Sequence, residues 1–192
     1  ILLSEMGSLV LAHPMFARLK QRYPEASIYV LQFAKNREVL DLLGVIPEES
    51  VLTLDDSSLS GLVGDSLKAI RTLRALGIDA VIDCELFARI SSIFSWLSGA
   101  RLRVGFHRHT QEGLYRGSFI NRPVLYNPYR HLSHQFLTMV EALESTSVPP
   151  VKFIPDPDPC QPPQLAFAPQ EREQVAAQLH RDFPAVKEKK LV

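Results

Sequence analysis

The sequence predicts an α/β fold in which a mostly parallel sheet carries helices on both faces. Short apolar, β-branched runs alternate with segments of helical period from residue 1 to residue 106. Three of the predicted helices end at a glycine, a common helix stop: Gly44, Gly77 and Gly99. Because parallel strands need crossover connections, this alternation favours right-handed β-α-β units.

The first predicted strand, 1–3, runs into a short polar turn and then directly into a helix. The helix has apolar residues at spacings of three and four, the period of one buried face: Leu9, Ala12, Phe16 and Leu19. We predict Ser8 as its N-cap and Gly7 as a turn residue that tolerates positive φ and close approach of substrate. Ligands of open α/β sheets bind beyond the carboxyl ends of the strands, so a chemically active group is expected within residues 4–8.

The remaining elements continue the same order along the chain. We predict strands at 27–31, 51–54, 80–83 and 101–106, and helices at 36–43, 60–76, 88–97, 131–143 and 170–183. Residues 107–130 have no sustained period, which predicts a loop or lid with at most one short strand.

Proline marks the predicted domain organisation. Eight of the 14 prolines lie between residues 148 and 169, which is typical of a semi-rigid linker. We therefore predict a domain over 1–147, a linker over 148–169 and the start of a truncated second domain over 170–192. The absence of an initiating Met also leads us to expect a trimmed or partial chain.

Composition narrows the class of protein. The formal net charge is zero, so no global field recruits nucleic acid or a membrane. Cys84 and Cys160 lie far apart without CxxC spacing, which favours a reduced, cytoplasmic setting with Cys84 as a buried, inert thiol. No apolar run approaches the roughly 20 residues of a membrane span, and the apolar start lacks the basic flank of a signal peptide.

A basic stretch follows the fifth predicted strand. Between residues 101 and 134 there are six arginines and one acidic residue, Glu112. Arginine forks bind phosphates and carboxylates well, so we predict an anion-binding pocket from these side chains: Arg103, His107, Arg108, His109, Arg116, Arg122, Arg130 and His131. A solvated basic loop is the alternative, and the interleaved tyrosines leave a nucleic-acid surface open as well. The histidine pairs lack an accompanying carboxylate, so no metal site is predicted.

Several pieces, in order, resemble the bacterial lipopolysaccharide heptosyltransferases, the family 9 glycosyltransferases. The matching pieces span roughly residues 1 to 145: Met6-Gly7, the apolar helix with Pro14, Arg22-Tyr23-Pro24, the strand at 77–83, Ser98-Gly99-Ala100, the strand at 103–106 and the helix beginning at His131. The resemblance implies the N-terminal half of a GT-B enzyme, with a Rossmann-like acceptor domain. The donor-binding half appears in the family as a second Rossmann-like domain.

The resemblance also implies an activity. Family members transfer a sugar, here expected to be heptose from ADP-heptose, to the anionic, lipid-linked, Kdo-containing core by inverting displacement. No metal or resident cofactor is implied, and the donor site is expected in the missing half, so this chain alone should be inactive. A lipid-linked acceptor implies peripheral contact with the inner membrane.

The family's catalytic Asp falls on Ser8, which changes the expected chemistry. A serine hydroxyl does not hold the acceptor's proton, whereas Glu5 in the same turn is a carboxylate suited to general base catalysis. Arg89 falls where family members carry a basic residue that contacts the acceptor, and Asp83 and Glu85 should lie at the same rim. The alternatives are a solvated Glu5, a solvated Arg89, and a catalytically inactive module that binds glycans or other anions.

Overall fold

The computed structural model describes residues 1–3, 5–86, 88–107, 116–150, 152 and 167–186. Five strands lie in these ranges: β1 (Val30–Phe33), β2 (Val51–Leu54), β3 (Ala80–Asp83), β4 (Leu102–His107) and β5 (Arg122–Leu125). The α-helices there are α1 (Met6–Leu11), α2 (His13–Arg22), α3 (Arg37–Leu43), α4 (Leu59–Ala75), α5 (Arg89–Leu97), α6 (Leu132–Ala142) and α7 (Pro169–Asp182). No helix within the described ranges is long and apolar enough to cross a bilayer.

All assigned strand pairs are parallel. β1 pairs with β2, with Val30 opposite Val51, and β4 pairs with both β3 and β5. Residues 1–3, which we call the N-terminal segment, join these two groups. The Leu2 amide donates to the Leu31 oxygen at 3.0 Å, and the Cys84 amide donates to the Ile1 oxygen at 3.0 Å.

The order across the sheet is therefore β2, β1, the N-terminal segment, β3, β4, β5. In sequence order, β1 and β2 are added on one side of the N-terminal segment, and β3, β4 and β5 are then added on its other side. This reversal is the topological switch point of a Rossmann-like fold. The predicted fold class is confirmed.

Helices cover both faces of the sheet and each face has its own apolar core. On one face, α1, α2, α3 and α6 pack on the strands through buried residues such as Leu9, Phe16, Leu40 and Phe136. On the other face, α4 and α5 contribute Ala69 and Phe94 to a smaller core, with side chains from the N-terminal segment, β1 and β2. Successive strand residues alternate between the two cores, as the pleat requires.

Most element boundaries match the sequence predictions closely. The strands at 51–54 and 80–83 are as predicted, and the glycines at the three helix ends have φ of 60°, 64° and 84° for Gly44, Gly77 and Gly99. The strand predicted at 27–31 lies instead at Val30–Phe33, because its pairing with β2 extends to Phe33 opposite Leu54. The short strand allowed within 107–130 is β5.

The first turn after the N-terminal segment differs from the prediction. α1 begins at Met6 and its N-cap is Glu5, in extended conformation. Ser8 is thus a helical residue whose amide donates to the Glu5 oxygen at 3.2 Å, and the predicted N-cap at Ser8 is wrong. Gly7 also lies within α1 and is not among the glycines with positive φ, so the predicted turn conformation is wrong.

The predicted C-terminal helix is confirmed as α7. Most of the predicted linker and residues 187–192 lie outside the described residues. The domain boundaries at 147 and 169 therefore stay predictions.

Candidate active site

Three chain segments meet at the carboxyl edge of the sheet, around the last residue of the N-terminal segment. The Leu3 amide donates to Glu85 Oε1 at 2.6 Å, and the Leu3 oxygen accepts from Asn36 Nδ2 at 3.0 Å. Both polar side chains are buried, Asn36 just beyond β1 and Glu85 just beyond β3. Both polar groups of the Leu3 main chain are therefore held by side chains at this edge.

Glu5 lies two residues beyond Leu3, whose main chain is held by Asn36 and Glu85; we call these two hydrogen bonds the Leu3 clamp. Its side chain is exposed and makes no capping hydrogen bond to α1. The site therefore presents a carboxylate to solvent at the switch point, where open α/β sheets bind their ligands. The predicted role of Glu5 as general base stays a prediction.

Gly7 and Ser8 lie in the first turns of α1, next to Glu5. A Cβ placed on Gly7 would meet no atom within 4 Å, so neither packing nor backbone conformation requires glycine there. Open space at this position is compatible with the predicted close approach of substrate. Ser8 is half-buried, and its predicted catalytic role is untested.

A buried ion pair lies next to Glu85, one of the two residues of the Leu3 clamp. Arg116 Nη1 donates to Asp83 Oδ2 at 2.7 Å and to the hydroxyl oxygens of Ser91 and Ser92 at 3.0 Å each. Its Nη2 donates to the Glu85 main-chain oxygen. The Asp83 and Arg116 side chains are 0% and 1% exposed.

The Asp83 carboxyl is also held by its own turn, because Oδ1 accepts from the Glu85 amide at 3.1 Å. Burial raises the pKa of Asp83, and the Arg116 guanidinium opposes that rise. Arg116 thus binds a carboxylate of its own chain, and the arrangement does not favour its predicted contact with an anionic substrate. It fixes the turn that carries Glu85.

Two further arginines of the predicted anion pocket lie on the opposite edge of the sheet. Arg103 and Arg122 are near the amino ends of β4 and β5. Arg103 donates to the main-chain oxygens of Phe119 at 2.7 Å and Ala100 at 2.6 Å, and Arg122 donates to that of Ser145. Both guanidinium groups stabilise loops, which does not favour the substrate contacts predicted for them.

Other predicted residues do lie at the carboxyl edge. Arg89 is exposed and begins α5, beyond the end of β3, and half-buried His107 ends β4. His131 is the N-cap of α6, where its ring accepts from the Ser133 amide at 3.4 Å. Arg108 and His109 lie outside the described residues.

The sequence did not indicate that the side chains of Asn36 and Glu85 hold the main chain of Leu3. Asn36 precedes an apolar helix and was therefore assigned to that helix. The signal that could have identified it is its position three residues after β1, because polar residues shortly after a buried parallel strand lie at the ligand-binding edge.

Two other features of the structure lie apart from this site. A cavity of about 660 Å³ opens at the amino ends of the strands, among apolar residues such as Ile28, Leu76 and Ile78. It is on the edge opposite Glu5 and does not belong to the candidate site. In the described part of the chain, no group of three or more His, Cys, Asp or Glu side chains is placed to hold a metal ion.

Comparison with known proteins shows the same fold and a sequence similarity to a heptosyltransferase. The chain is 26% identical over 144 residues to lipopolysaccharide heptosyltransferase 3 of Escherichia coli, covering 73% of this chain and 40% of that protein. It superposes on E. coli ADP-heptose lipopolysaccharide heptosyltransferase II with a TM-score of 0.65 at 18% identity, covering 93% of this chain and 49% of that one. The family 9 glycosyltransferase of Veillonella parvula gives 0.66 at 16% identity, with 95% and 49% covered.

No family model matches the sequence. The chain spans less than half the length of each of these proteins. The matched part has the fold of the N-terminal half of a GT-B heptosyltransferase. The chain is thus similar in sequence to a lipopolysaccharide heptosyltransferase and shares the fold of family 9 glycosyltransferases.

Proposed function

We propose that this chain is the acceptor-binding half of an inverting heptosyltransferase, and that Glu5 is its catalytic base. The observation that carries the proposal is the exposed Glu5 carboxylate at the switch point, directly beyond the clamped Leu3 main chain. The similarity to heptosyltransferases supports the sugar-transfer class. The proposed donor is ADP-heptose, which the name of one structural neighbour specifies.

In the proposed reaction, Glu5 takes the proton of an acceptor hydroxyl as that oxygen attacks the anomeric carbon of the donor. The bond between that carbon and the nucleoside diphosphate breaks, and the configuration inverts. A carboxylate can hold the transferred proton, whereas Ser8, at the family's Asp position, cannot. The donor half would bind the nucleotide, and the proposal assigns no metal or resident cofactor.

The proposed acceptor is an anionic, lipid-linked core oligosaccharide. Arg89 is an exposed cation at the same edge as Glu5, and Arg108 and His109 directly follow His107 in the sequence. Arginine binds phosphates and carboxylates through paired hydrogen bonds. A lipid-linked acceptor would bring the protein to the cytoplasmic face of the inner membrane.

The test measures release of ADP from ADP-heptose, with and without deacylated Kdo-containing core, by this chain joined to a donor-binding half. We expect acceptor-dependent release that falls by a factor of 10² to 10⁴ in Glu5→Gln, the range for loss of a general base. Glu49→Gln is the matched control, because Glu49 is exposed before the amino end of β2. Full activity in Glu5→Gln would remove Glu5 from the mechanism.

The second candidate is a catalytically inactive module that binds the anionic glycan. The serine at the family's base position favours it. Salt-sensitive glycan binding, together with no release of nucleoside diphosphate from any nucleotide sugar, would select this alternative.

A further inference from the structure

The turn between β5 and α6 presents one aromatic ring almost entirely to solvent. It covers residues 127–130, and we call it the β5–α6 turn. Tyr129 in this turn is 95% exposed, so its ring contributes almost nothing to the packing of the domain. Single exposed apolar side chains are common, and Tyr129 is distinguished by how firmly its backbone is held.

One buried side chain holds the β5–α6 turn at both ends. Gln135 of α6 is buried; its Oε1 accepts from the Asn127 amide at 2.9 Å, and its Nε2 donates to the Arg130 oxygen at 3.1 Å. Inside the turn, the Arg130 amide donates to the Asn127 oxygen at 3.1 Å, and the Tyr129 amide donates to Asn127 Oδ1 at 3.0 Å. Burying an amide side chain costs free energy unless its polar atoms are paired, and both polar atoms of Gln135 are paired with this turn. The backbone that carries Tyr129 is thus fixed before any ligand binds.

A rigidly held tyrosine suits the recognition of sugars. Its ring offers a flat apolar face at a low cost in conformational entropy, and the C–H groups on one side of a pyranose form a matching apolar surface. The neighbouring side chains are polar, since Asn127 and Arg130 are half-buried and His131 is exposed, and they can bind hydroxyl and anionic groups of a glycan.

A protein partner fits this surface less well. Aromatic hot spots of protein interfaces are enclosed by further contacts that exclude water. Tyr129 is the only exposed large apolar side chain within residues 116–147, all of which the structure describes. One ring among polar groups is the pattern expected for a sugar.

Tyr129 lies at the same edge of the sheet as Glu5. β5 is parallel to β4, and the β5–α6 turn follows the carboxyl end of β5. Three strand spacings separate the N-terminal segment from β5, which is roughly 14 Å at the usual spacing of neighbouring strands. Arg89 follows β3 and His107 ends β4, so both lie between Glu5 and Tyr129 along this edge. Several linked sugar rings span such a distance, whereas a single ring does not.

We propose that Tyr129 is the stacking residue of an outer acceptor subsite, which binds a sugar ring several units away from the ring that reacts at Glu5. The inference rests on the proposed function, which supplies the acceptor, and adds a length requirement to it. An acceptor must be an oligosaccharide to contact Glu5 and Tyr129 together. Tyr129 therefore contributes affinity for long acceptors and takes no part in the chemical step, and Gln135 is a positioning residue that fixes the turn.

The test measures binding to the protein as it is, by calorimetry, with two probes: the deacylated Kdo-containing core oligosaccharide and the Kdo monosaccharide. Tyr129→Ala should weaken binding of the oligosaccharide by about two- to tenfold, the range for one aromatic contact, and should leave binding of the monosaccharide unchanged. Tyr129→Phe keeps the ring and should bind as the wild type does. With a donor-binding half joined to the chain, Tyr129→Ala should raise KM for the oligosaccharide at unchanged kcat.

Nuclear magnetic resonance reports the stacking itself. Sugar C–H protons that lie over the ring should shift upfield with the wild type and with Tyr129→Phe, and this shift should disappear with Tyr129→Ala. Gln135→Met releases both ends of the β5–α6 turn and should also weaken binding of the oligosaccharide, although it leaves Tyr129 in place.

The matched control is Trp96→Leu, which removes another exposed aromatic ring, near the end of α5 at the opposite edge of the sheet. It should bind both probes as the wild type does, and circular dichroism should show all variants folded. Unchanged oligosaccharide binding in Tyr129→Ala, equal weakening for the monosaccharide, or equal weakening in the control would overturn the inference, even if sugar transfer occurs. Oligosaccharide binding that depends on Tyr129 without sugar transfer would leave the inference intact and would count only against the proposed function.

Discussion

Replacing Arg116 with Met should destabilise the domain strongly, because it leaves the Asp83 carboxylate buried without its cation. Both side chains are at most 1% exposed, and the change removes the 2.7 Å ion pair together with the hydrogen bonds to Ser91 and Ser92. Removing one partner of a buried ion pair costs about 3–5 kcal/mol. We therefore expect a loss of that size in the free energy of unfolding, measured by urea denaturation at pH 7.

Substituting both members of the ion pair provides an internal check. In Arg116→Met/Asp83→Asn no uncompensated charge is buried, so the double variant should be more stable than Arg116→Met alone. Burial already raises the pKa of Asp83, and losing Arg116 should raise it further. The single variant's deficit should therefore shrink as the pH falls and the buried carboxyl takes up a proton.

An exposed ion pair gives the matched control. Lys35 and Asp56 lie 2.5 Å apart, with side chains 58% and 32% exposed. Lys35→Met should cost less than about 1 kcal/mol, as is usual for surface pairs. If Arg116→Met cost no more than Lys35→Met, or if Asp83→Asn gave no recovery, the reasoning about the buried pair would be refuted.

Three further predictions concern single side chains. Burial raises the pKa of Cys84 to about 12. In a variant whose other cysteine is replaced by serine, iodoacetamide should therefore label Cys84 at pH 8 only as fast as the protein unfolds. Rapid labelling of the native protein would show an accessible thiolate and contradict this prediction. Gly7→Ala should stabilise α1 by about 0.5–1 kcal/mol, because the added Cβ meets no atom within 4 Å. Gly99→Ala, at φ 84°, should instead destabilise the domain by about 1–2 kcal/mol. Urea unfolding midpoints that move in the same direction for both variants would contradict this prediction. Hydrogen bonds from Arg22 and Tyr23 lower the pKa of Glu144 below its usual 4.5. The contribution of Glu144 to the stability of the fold is therefore present above pH 4.5 and is lost as the pH falls through the lowered pKa. Glu144→Gln should flatten the loss of stability below pH 4.5, and an unchanged acid limb would remove this residue from the account.

Local signals determined which parts of the fold were predictable. Gly44, Gly77 and Gly99 end helices because glycine adopts positive φ without a steric penalty, and that requirement is visible in the sequence. The buried strands at 51–54 and 80–83 are likewise bounded by short-range composition. The N-cap predicted at Ser8 is wrong because the chain turns helical two residues earlier, at Met6, and Glu5 takes the N-cap position without a side-chain capping bond.

Long-range contacts explain what sequence reasoning did not find. Arg116 and Asp83 are 33 residues apart, and no periodicity connects them, so Arg116 was grouped with the other basic residues as a candidate anion ligand. Asn36 and Glu85 hold the Leu3 main chain only because β1 and β3 flank the N-terminal segment. These roles depend on the strand order, which a local pattern does not contain.

The most direct test of the central claim is a binding titration of the protein as it is, by calorimetry, with a phosphorylated Kdo-containing oligosaccharide and separately with ADP. We predict salt-sensitive binding of the oligosaccharide that Arg89→Gln weakens, and no binding of ADP, because the donor site is assigned to the other half. Binding of ADP, or no oligosaccharide binding at low salt, would contradict the claim that this domain is the acceptor half of a sugar transferase.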